Sequence, residues 1–144
     1  MKRKRMIGGA VAATAPAQLV IRTIVSGLKD SELRAIDGVT VIGSRNGTVE
    51  IETPRYDQFT RILVAIAHRG GTIVEIAGND DIMVTLTAAP DSEPVLQDAT
   101  IITRLRRDGF SGDRLLVNVK VPALARFLTA HPLGDPGLEH VFDY

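Results

Sequence analysis

The sequence predicts an α+β fold built on an antiparallel sheet with helices mainly on one face. One pattern occurs twice, in residues 33–54 and again in residues 66–90: a helix that ends at a Gly, a strand, a tight polar turn, a second strand and a Pro. Each copy therefore reads as a helix followed by a hairpin. Residues 56–68, which follow the first copy and run into the second, carry apolar side chains at helical spacing.

Composition limits the size and chemistry of this fold. A chain of 144 residues with 44% hydrophobic residues suits one domain with a substantial core. Aromatic residues make up only 4%, so the core must be built from aliphatic side chains. The absence of cysteine excludes disulfides, thiol nucleophiles and thiolate metal sites, and a net charge of zero gives no field of one sign to attract nucleic acid.

The first 17 residues differ from the rest of the chain. Lys2-Arg3-Lys4-Arg5 precedes a stretch of small, uncharged residues that contains Ala15-Pro16-Ala17. A basic start, a short apolar middle and an A-x-A site are typical of a secretory signal peptide, whereas the small residues also suit a disordered basic arm. The uncharged run is too short for a membrane-spanning helix. We therefore expect a signal-peptide-like segment or arm over residues 1–17 and a single α+β domain over residues 18–144.

The first elements follow from β-branched runs and turn residues. Leu19 to Val25 reads as a strand, and Asp30 or Ser31 can cap a short helix that reaches Ile36 and ends at Gly38. Strands on either side then flank Asn46-Gly47, the pair best suited to a tight hairpin because both residues tolerate positive φ.

The main helix is predicted over Tyr56 to His68. Its apolar face consists of Phe59, Ile62, Leu63, Ile66 and Ala67. We expect a second hairpin from Thr72 to Ala77 and from Ile82 to Ala88, followed by a loop over Ala89 to Asp98.

The first six elements have the strand, helix, strand, strand, helix, strand order of a ferredoxin-like (βαββαβ) fold, a term that describes topology and implies no cluster. The rest of the chain is expected to add a strand Ala99 to Leu105, a turn from Arg106 to Arg114, a strand Leu115 to Val121, a helix Ala123 to Ala130 and a strand Glu139 to Tyr144, which together give a β-β-α-β ending. The strand, helix, strand at the end resembles half of the same unit. We expect these strands to form one continuous sheet.

Residues 131–144 hold two of the three histidines and several carboxylates. Two imidazoles and a carboxylate could bind zinc or copper, but the spacing of His131 and His140 matches no metal motif. In an extended strand Glu139 and His140 point to opposite faces, which argues against a shared site. A hydrolase or isomerase that uses His131, Asp135 and Glu139 is the enzymatic alternative.

Other motifs favour structural roles. Ser111 lies in Gly109-Phe110-Ser111-Gly112, which departs from the nucleophile-elbow spacing and indicates a turn. His68 ends the main helix, where an imidazole interacts well with the helix dipole. Asn79-Asp80-Asp81 lacks the spacing of a calcium loop. The phosphate-binding glycine motifs are absent.

One basic cluster is present in addition to the amino-terminal run. It consists of Arg104, Arg106, Arg107 and Arg114. Nucleic-acid binding on a sheet of this topology would need exposed aromatics on the strands, and the first strand and both hairpins have none, so nucleic acid is an unlikely partner. The cluster also suits peripheral contact with anionic lipid or with an acidic protein surface.

These observations predict no catalytic, cofactor-binding or metal-binding residue, and no cofactor. They favour a small non-enzymatic binding or accessory protein, periplasmic or secreted, which contacts another protein or a second copy of itself through its sheet edges. The alternative is a cytoplasmic small-ligand sensor or regulatory domain of ferredoxin-like topology.

Overall fold

The computed structural model describes residues 19–92, 94–107 and 112–142. The first half contains strands β1 (Val20–Ser26), β2 (Thr40–Arg45), β3 (Thr48–Pro54) and β4 (Thr72–Ile76). Helix α1 (Asp30–Arg34) joins β1 to β2, and helix α2 (Asp57–His68) joins β3 to β4.

The second half contains strands β5 (Asp81–Ala88), β6 (Ala99–Arg106), β7 (Asp113–Lys120) and β8 (Gly137–Val141). A 3-10 turn (Val121–Ala123) that begins beside Pro122 leads from β7 into helix α3 (Leu124–Ala130). No helix is present among the described residues between β5 and β6.

The eight strands form two four-stranded antiparallel sheets. Sheet A has the order β2-β3-β1-β4 and sheet B has the order β6-β7-β5-β8. Each strand of sheet B therefore occupies the place of its counterpart in sheet A: β5 that of β1, β6 that of β2, β7 that of β3 and β8 that of β4. The two halves share one connectivity, except that α1 has no helical counterpart.

The irregularities of the two sheets also coincide. A bulge lies between Ile24 and Val25 where β1 pairs with β4, and another lies between Thr85 and Leu86 where β5 pairs with β8. The pairs at the other side of each sheet show the same match. Strand β2 has a bulge after Val41 where it pairs with β3, and β6 has one after Ile101 where it pairs with β7. Since bulges change the local twist and the register, their coincidence fixes which residues correspond.

The helices cover one face of each sheet. Strand β3 buries every second residue, at Val49, Ile51 and Thr53, as a half-buried strand requires. Helices α2 and α3 contact each other, and each reaches the other half: α2 contacts β8, and α3 contacts β4. The buried hydrophobic residues of both halves consequently belong to one continuous cluster.

Several sequence predictions are confirmed. The fold is α+β and antiparallel, and Asn46 and Gly47 form the β2–β3 turn with φ of 51° and 83°. Helix α2 has the predicted bounds to within a residue and buries the predicted face. The predicted cap is wrong: Lys29 occupies that position, and Asp30 instead accepts hydrogen bonds from Ser44 at 2.7 and 2.8 Å.

The second hairpin and the continuous sheet are also wrong. Strands β4 and β5 are adjacent in sequence, yet β4 pairs with β1 in sheet A and β5 with β7 and β8 in sheet B. The turn between them closes only one bridge, Ile76 to Asn79, with Ala77 and Gly78 at positive φ. At this turn the chain crosses from sheet A to sheet B, because β4 and β5 each pair with strands that are more distant in sequence.

Candidate functional site

A groove runs along helix α3 where the second half lacks a helix. On the helix side it is lined by Ala123, Phe127, Ala130 and His131, and on the loop side by Val95 and its neighbours; these residues define the α3 groove. Its volume is about 310 Å³. A second cleft of about 410 Å³ adjoins it and shares Ala130 and His131. Apolar walls with few polar groups are typical of binding sites.

His131 lies between the two clefts, at the end of α3. Its ring centroid is 4.6 Å from that of Phe127, at an interplanar angle of 41°. Partial burial lowers the pKa of His131, because the charged imidazolium loses hydration there. The imidazole therefore favours its neutral form in the groove and offers one hydrogen-bond donor and one acceptor.

The rim of the α3 groove is charged. Arg126 donates a hydrogen bond to Asp98 at 2.8 Å, and both side chains are largely exposed. Val95 is 91% exposed on the loop side. The groove thus combines an apolar floor with a polar edge and an exposed aliphatic side chain.

Helix α2 of the first half corresponds to α3 in position and in burial. The exposure pattern of α2 recurs along α3, with Phe59 matching Leu124, the exposed Arg61 matching Arg126, and Ile62 matching Phe127. By the same alignment Gln58 corresponds to Ala123 and Ile66 to His131.

Residues 27–39, the first connection, lie close to α2. A Cβ built on Gly38 would meet the side chains of Gln58 and Ile62, at 2.5 and 3.2 Å. A Cβ built on Gly71 would meet both Ile66 and Leu28 within 3 Å, so both side chains pack closely against Gly71. Leu28, Leu33 and Ile36 of this segment are buried in the core.

Residues 89–98 are the second connection, and of its described residues Val95, Gln97 and Asp98 line the α3 groove opposite the helix. Leu96 packs against the core, but Val95 does not. Ser92 forms a turn with Ala89, and its carbonyl accepts a hydrogen bond from Arg104 of β6, which ties the loop to the sheet edge. Of the residues that line the α3 groove, sequence reasoning singled out only His131, for a different role.

Each sheet has two edge strands. Helices of the other half contact the edges β4 and β8, and the remaining edges, β2 and β6, are called the outer edges. Helix α1 packs against β2, whereas no described helix packs comparably against β6. Strand β6 is largely exposed over its eight residues, and Ile102 and Leu105 are 52% and 48% exposed. An exposed edge strand carries unpaired backbone groups that can pair with another strand.

The carboxylates of the carboxy-terminal run are held by arginines. Arg114 contacts both oxygens of Glu139 at 2.7 Å, and Arg107 contacts both oxygens of Asp135 at 3.1 Å. The hydrogen bonds from Arg114 and Arg107 hold the pKa of Glu139 and of Asp135, respectively, below their usual range. The structure therefore does not bring His131, Asp135 and Glu139 together as an acid–base set.

The same ion pairs neutralise most of the basic cluster. Arg104 forms a third one, with Asp113 at 2.8 Å. Paired arginines present less positive potential to nucleic acid or lipid than isolated ones.

His140 contacts the other half of the chain. Its Nδ1 lies 3.6 Å from Asp57 Oδ1 and 3.4 Å from Thr60 Oγ1, on α2, while Glu139 turns to Arg114. The predicted separation of Glu139 from His140 agrees with these different partners. Thr60, which sequence reasoning missed, is buried and accepts a hydrogen bond from Val141 N at 3.0 Å, so it joins α2 to β8. The sequence feature that could have revealed Thr60 is a hydroxyl residue among the apolar residues of the helix.

The remaining candidates occupy simple positions. His68 is exposed in the last turn of α2, as predicted. Residues 108–111, including Ser111, and the amino-terminal segment 1–18 lie outside the described residues. Across the described ranges no group of three or more His, Asp or Glu side chains is placed to hold a metal ion. In the same ranges, no helix has the length and apolar character needed to cross a membrane.

Comparison with known proteins gives no relative. No family model matches the chain, and neither the curated proteins nor the solved structures contain a significant match.

Proposed function

We propose that this chain is a small non-enzymatic binding or accessory protein that acts through protein contacts, with strand β6 as its docking edge. The exposure of β6 carries the proposal: an outermost strand of eight residues with two exposed aliphatic side chains offers backbone hydrogen bonds and apolar contact together. Peptides that add a strand to a sheet use this combination.

The other outer edge is less suited to docking. Strand β2 is shorter, is contacted by α1, and its Ser44 is engaged by Asp30. The docking partner is another protein or a second copy of the chain. Export to the periplasm or outside the cell belongs to the same proposal and is supported by the basic start and the A-x-A site of residues 1–17.

Site-specific photo-crosslinking in the native cell tests the β6 proposal. A photoreactive residue at Ile102 should give a discrete adduct with a protein, and the same residue at Ile42 of β2, which is bulged and exposed in the same way, serves as the matched control. No adduct from position 102, or equal adducts from both positions, would exclude β6 as the docking edge. Cell fractionation of the same sample tests export.

A second candidate is a cytoplasmic small-ligand sensor or regulatory domain of ferredoxin-like topology. The strand order of sheet A, with α1 and α2 between its strands, supports this candidate. Thermal-shift measurements with amino acids and other small metabolites distinguish it, because a ligand of the folded state raises the unfolding temperature.

A further inference from the structure

We propose that strand β6 pairs with β6 of a second copy of this chain, antiparallel and across a two-fold axis, so that two copies of the four-stranded sheet B join edge to edge. This inference rests on the proposed docking role of β6 and names its partner. In the proposed register Ile102 faces Thr103 of the second copy, and all eight residues of β6 face a residue of the other β6.

The pairing of β6 with β7 shows on which side of the sheet each side chain of β6 lies, because directly opposite residues share one face. Three residues of β6 face fully buried residues of β7 and therefore lie on the core side: Ala99, Ile101 and Arg104. Three face partly exposed residues of β7 and lie on the outer side: Thr100, Thr103 and Leu105. The alternation of sides thus shifts by one residue at the bulge, at Ile102.

This shift determines the register of a two-fold pair. Facing residues of the two copies must lie on the same side of the joined sheet. When Ile102 faces Thr103 of the second copy, Leu105 faces Thr100 on the outer side, and the core-side residues face each other likewise. A shift of one residue in either direction puts an outer side chain opposite a core side chain. Larger shifts leave residues at the end of β6 without a partner.

The charges of β6 are complementary to an antiparallel copy. Asp98 precedes the strand and Arg106 ends it, and both residues are exposed. Antiparallel pairing brings Arg106 next to the start of the other β6, where the carboxylate of Asp98 can accept hydrogen bonds from it as well as from Arg126. Arg104 is already paired with Asp113 at 2.8 Å. Opposite charges therefore meet at both ends of the interface, whereas parallel pairing would place like charges together.

The pairing also covers the exposed apolar side chains of β6. Ile102 and Leu105 are 52% and 48% exposed, and Ile102 lies beside the two-fold axis, close to its own copy. No described helix packs against β6 as α1 packs against β2, so the second sheet can approach this edge on both sides. An interface in which one patch meets itself is the usual arrangement of a two-fold dimer.

Cysteine variants of the full chain test the register, since the chain has no native cysteine. Two singly substituted proteins, Thr100→Cys and Leu105→Cys, are mixed and oxidised, and intact mass identifies the products. The two positions face each other in the proposed register, within the roughly 7 Å between Cα atoms that a disulfide tolerates, so the mixed disulfide should form. Neither protein alone should form one, because two copies of the same position lie more than about 10 Å apart.

Sedimentation velocity over a concentration series tests the dimer itself. The native chain should associate to a dimer. Ile102→Lys places two like charges beside the axis and should raise the dimer dissociation constant at least about tenfold. Ile42→Lys on β2 is the matched control, because Ile42 is also exposed and lies at a bulge, and it should leave the dissociation constant unchanged.

Three results would overturn self-pairing. The first is a native chain that stays monomeric at every concentration. The second is a mixed disulfide that forms no faster than the disulfide of either variant alone, and the third is a dimer that Ile42→Lys weakens as much as Ile102→Lys. Failure of the docking role of β6 looks different, since no adduct then forms from position 102 in the cell. An adduct with a different protein keeps β6 as the docking edge and overturns only its pairing with a second copy.

Discussion

The two halves of the molecule have the same strand order and the same bulges, but they differ in how the first two strands of each are joined. In the first half, residues 27–39 contain α1 and bury Leu28, Leu33 and Ile36. In the second half, residues 89–98 leave Val95 exposed and the α3 groove open. The two halves share their strands and one helix each. The segment that joins their first two strands determines how much of the helix surface beside it is covered.

A second difference lies inside the sheets. Thr23 and Thr53 of sheet A are each 1% exposed, and their hydroxyls have no hydrogen-bond partner. The aligned bulges place Val84 and Val119 at the corresponding positions of sheet B. Among the described residues sheet A therefore has two buried hydroxyls without a partner and sheet B has one, that of Thr85. Each unpaired buried hydroxyl costs free energy.

Truncation of one large core residue in each half should have the largest effect. Phe59 and Leu124 correspond to each other and are fully buried. Phe59→Ala should lower the free energy of unfolding by about 3–5 kcal/mol and Leu124→Ala by about 2–5 kcal/mol. Because the core is continuous, urea unfolding followed by circular dichroism should show one transition in both variants. A half that stays folded while the other melts would contradict the shared core.

Exchange of the core threonines should have the next largest effect. Thr23→Val should raise the free energy of unfolding by about 1 kcal/mol, because it removes the unpaired hydroxyl without changing the volume much. The reverse change in the other half, Val84→Thr, should lower it by about 1–3 kcal/mol. Denaturant unfolding measures both. A loss of stability in Thr23→Val would show that its hydroxyl has a partner.

The outer faces differ in their ion pairs, and the expected effect is smaller. Glu139→Gln breaks the two short contacts with Arg114 and should cost about 1 kcal/mol, and less at high salt. In sheet A the contact between Glu52 and Arg22 is longer, 3.4 Å, and the arginine is exposed. Glu52→Gln should therefore change the free energy of unfolding by close to nothing. Equal losses in the two variants would mean that contact geometry does not distinguish the faces.

The smallest effect is a pH dependence specific to the second half. Because burial lowers the pKa of His131 in the folded chain, the unfolded chain takes up a proton more readily, and stability at this site falls as the pH drops below about 6.5. His131→Ile introduces the residue found at the corresponding position 66. It should remove the part of the loss of unfolding free energy at low pH that comes from His131. Unfolding free energies at pH 7.5 and 5.5 for both proteins measure it. An unchanged pH difference would place His131 outside the groove.

Local signals predicted much of the fold. The β2–β3 hairpin follows from Asn46-Gly47, and α2 follows from the spacing of its apolar residues, since both depend on neighbours in sequence. The sequence repeat at residues 33–54 and 66–90 was not the structural one, because the partner of β4 is β1, far away in sequence. Turn residues show that the chain reverses, but they do not show which strand it will meet.

The α3 groove could not be predicted, because no sequence motif defines it. It lies between α3 and a connection whose described residues form no helix. Phe127 and Ala130 read as ordinary helix residues, and His131 as a helix-end histidine. The correspondence between the two halves appears only in the strand orders and bulges of the folded sheets.

The most direct test of the comparison is to replace residues 89–98 with residues 27–39 in the full chain and to measure amide hydrogen exchange at residues 127–131. If the two halves are equivalent apart from this connection, the chimera folds and these amides exchange more slowly than in the native chain. A chimera that does not fold, or one whose amides exchange at the native rate, would show that the first connection does not fit the second half.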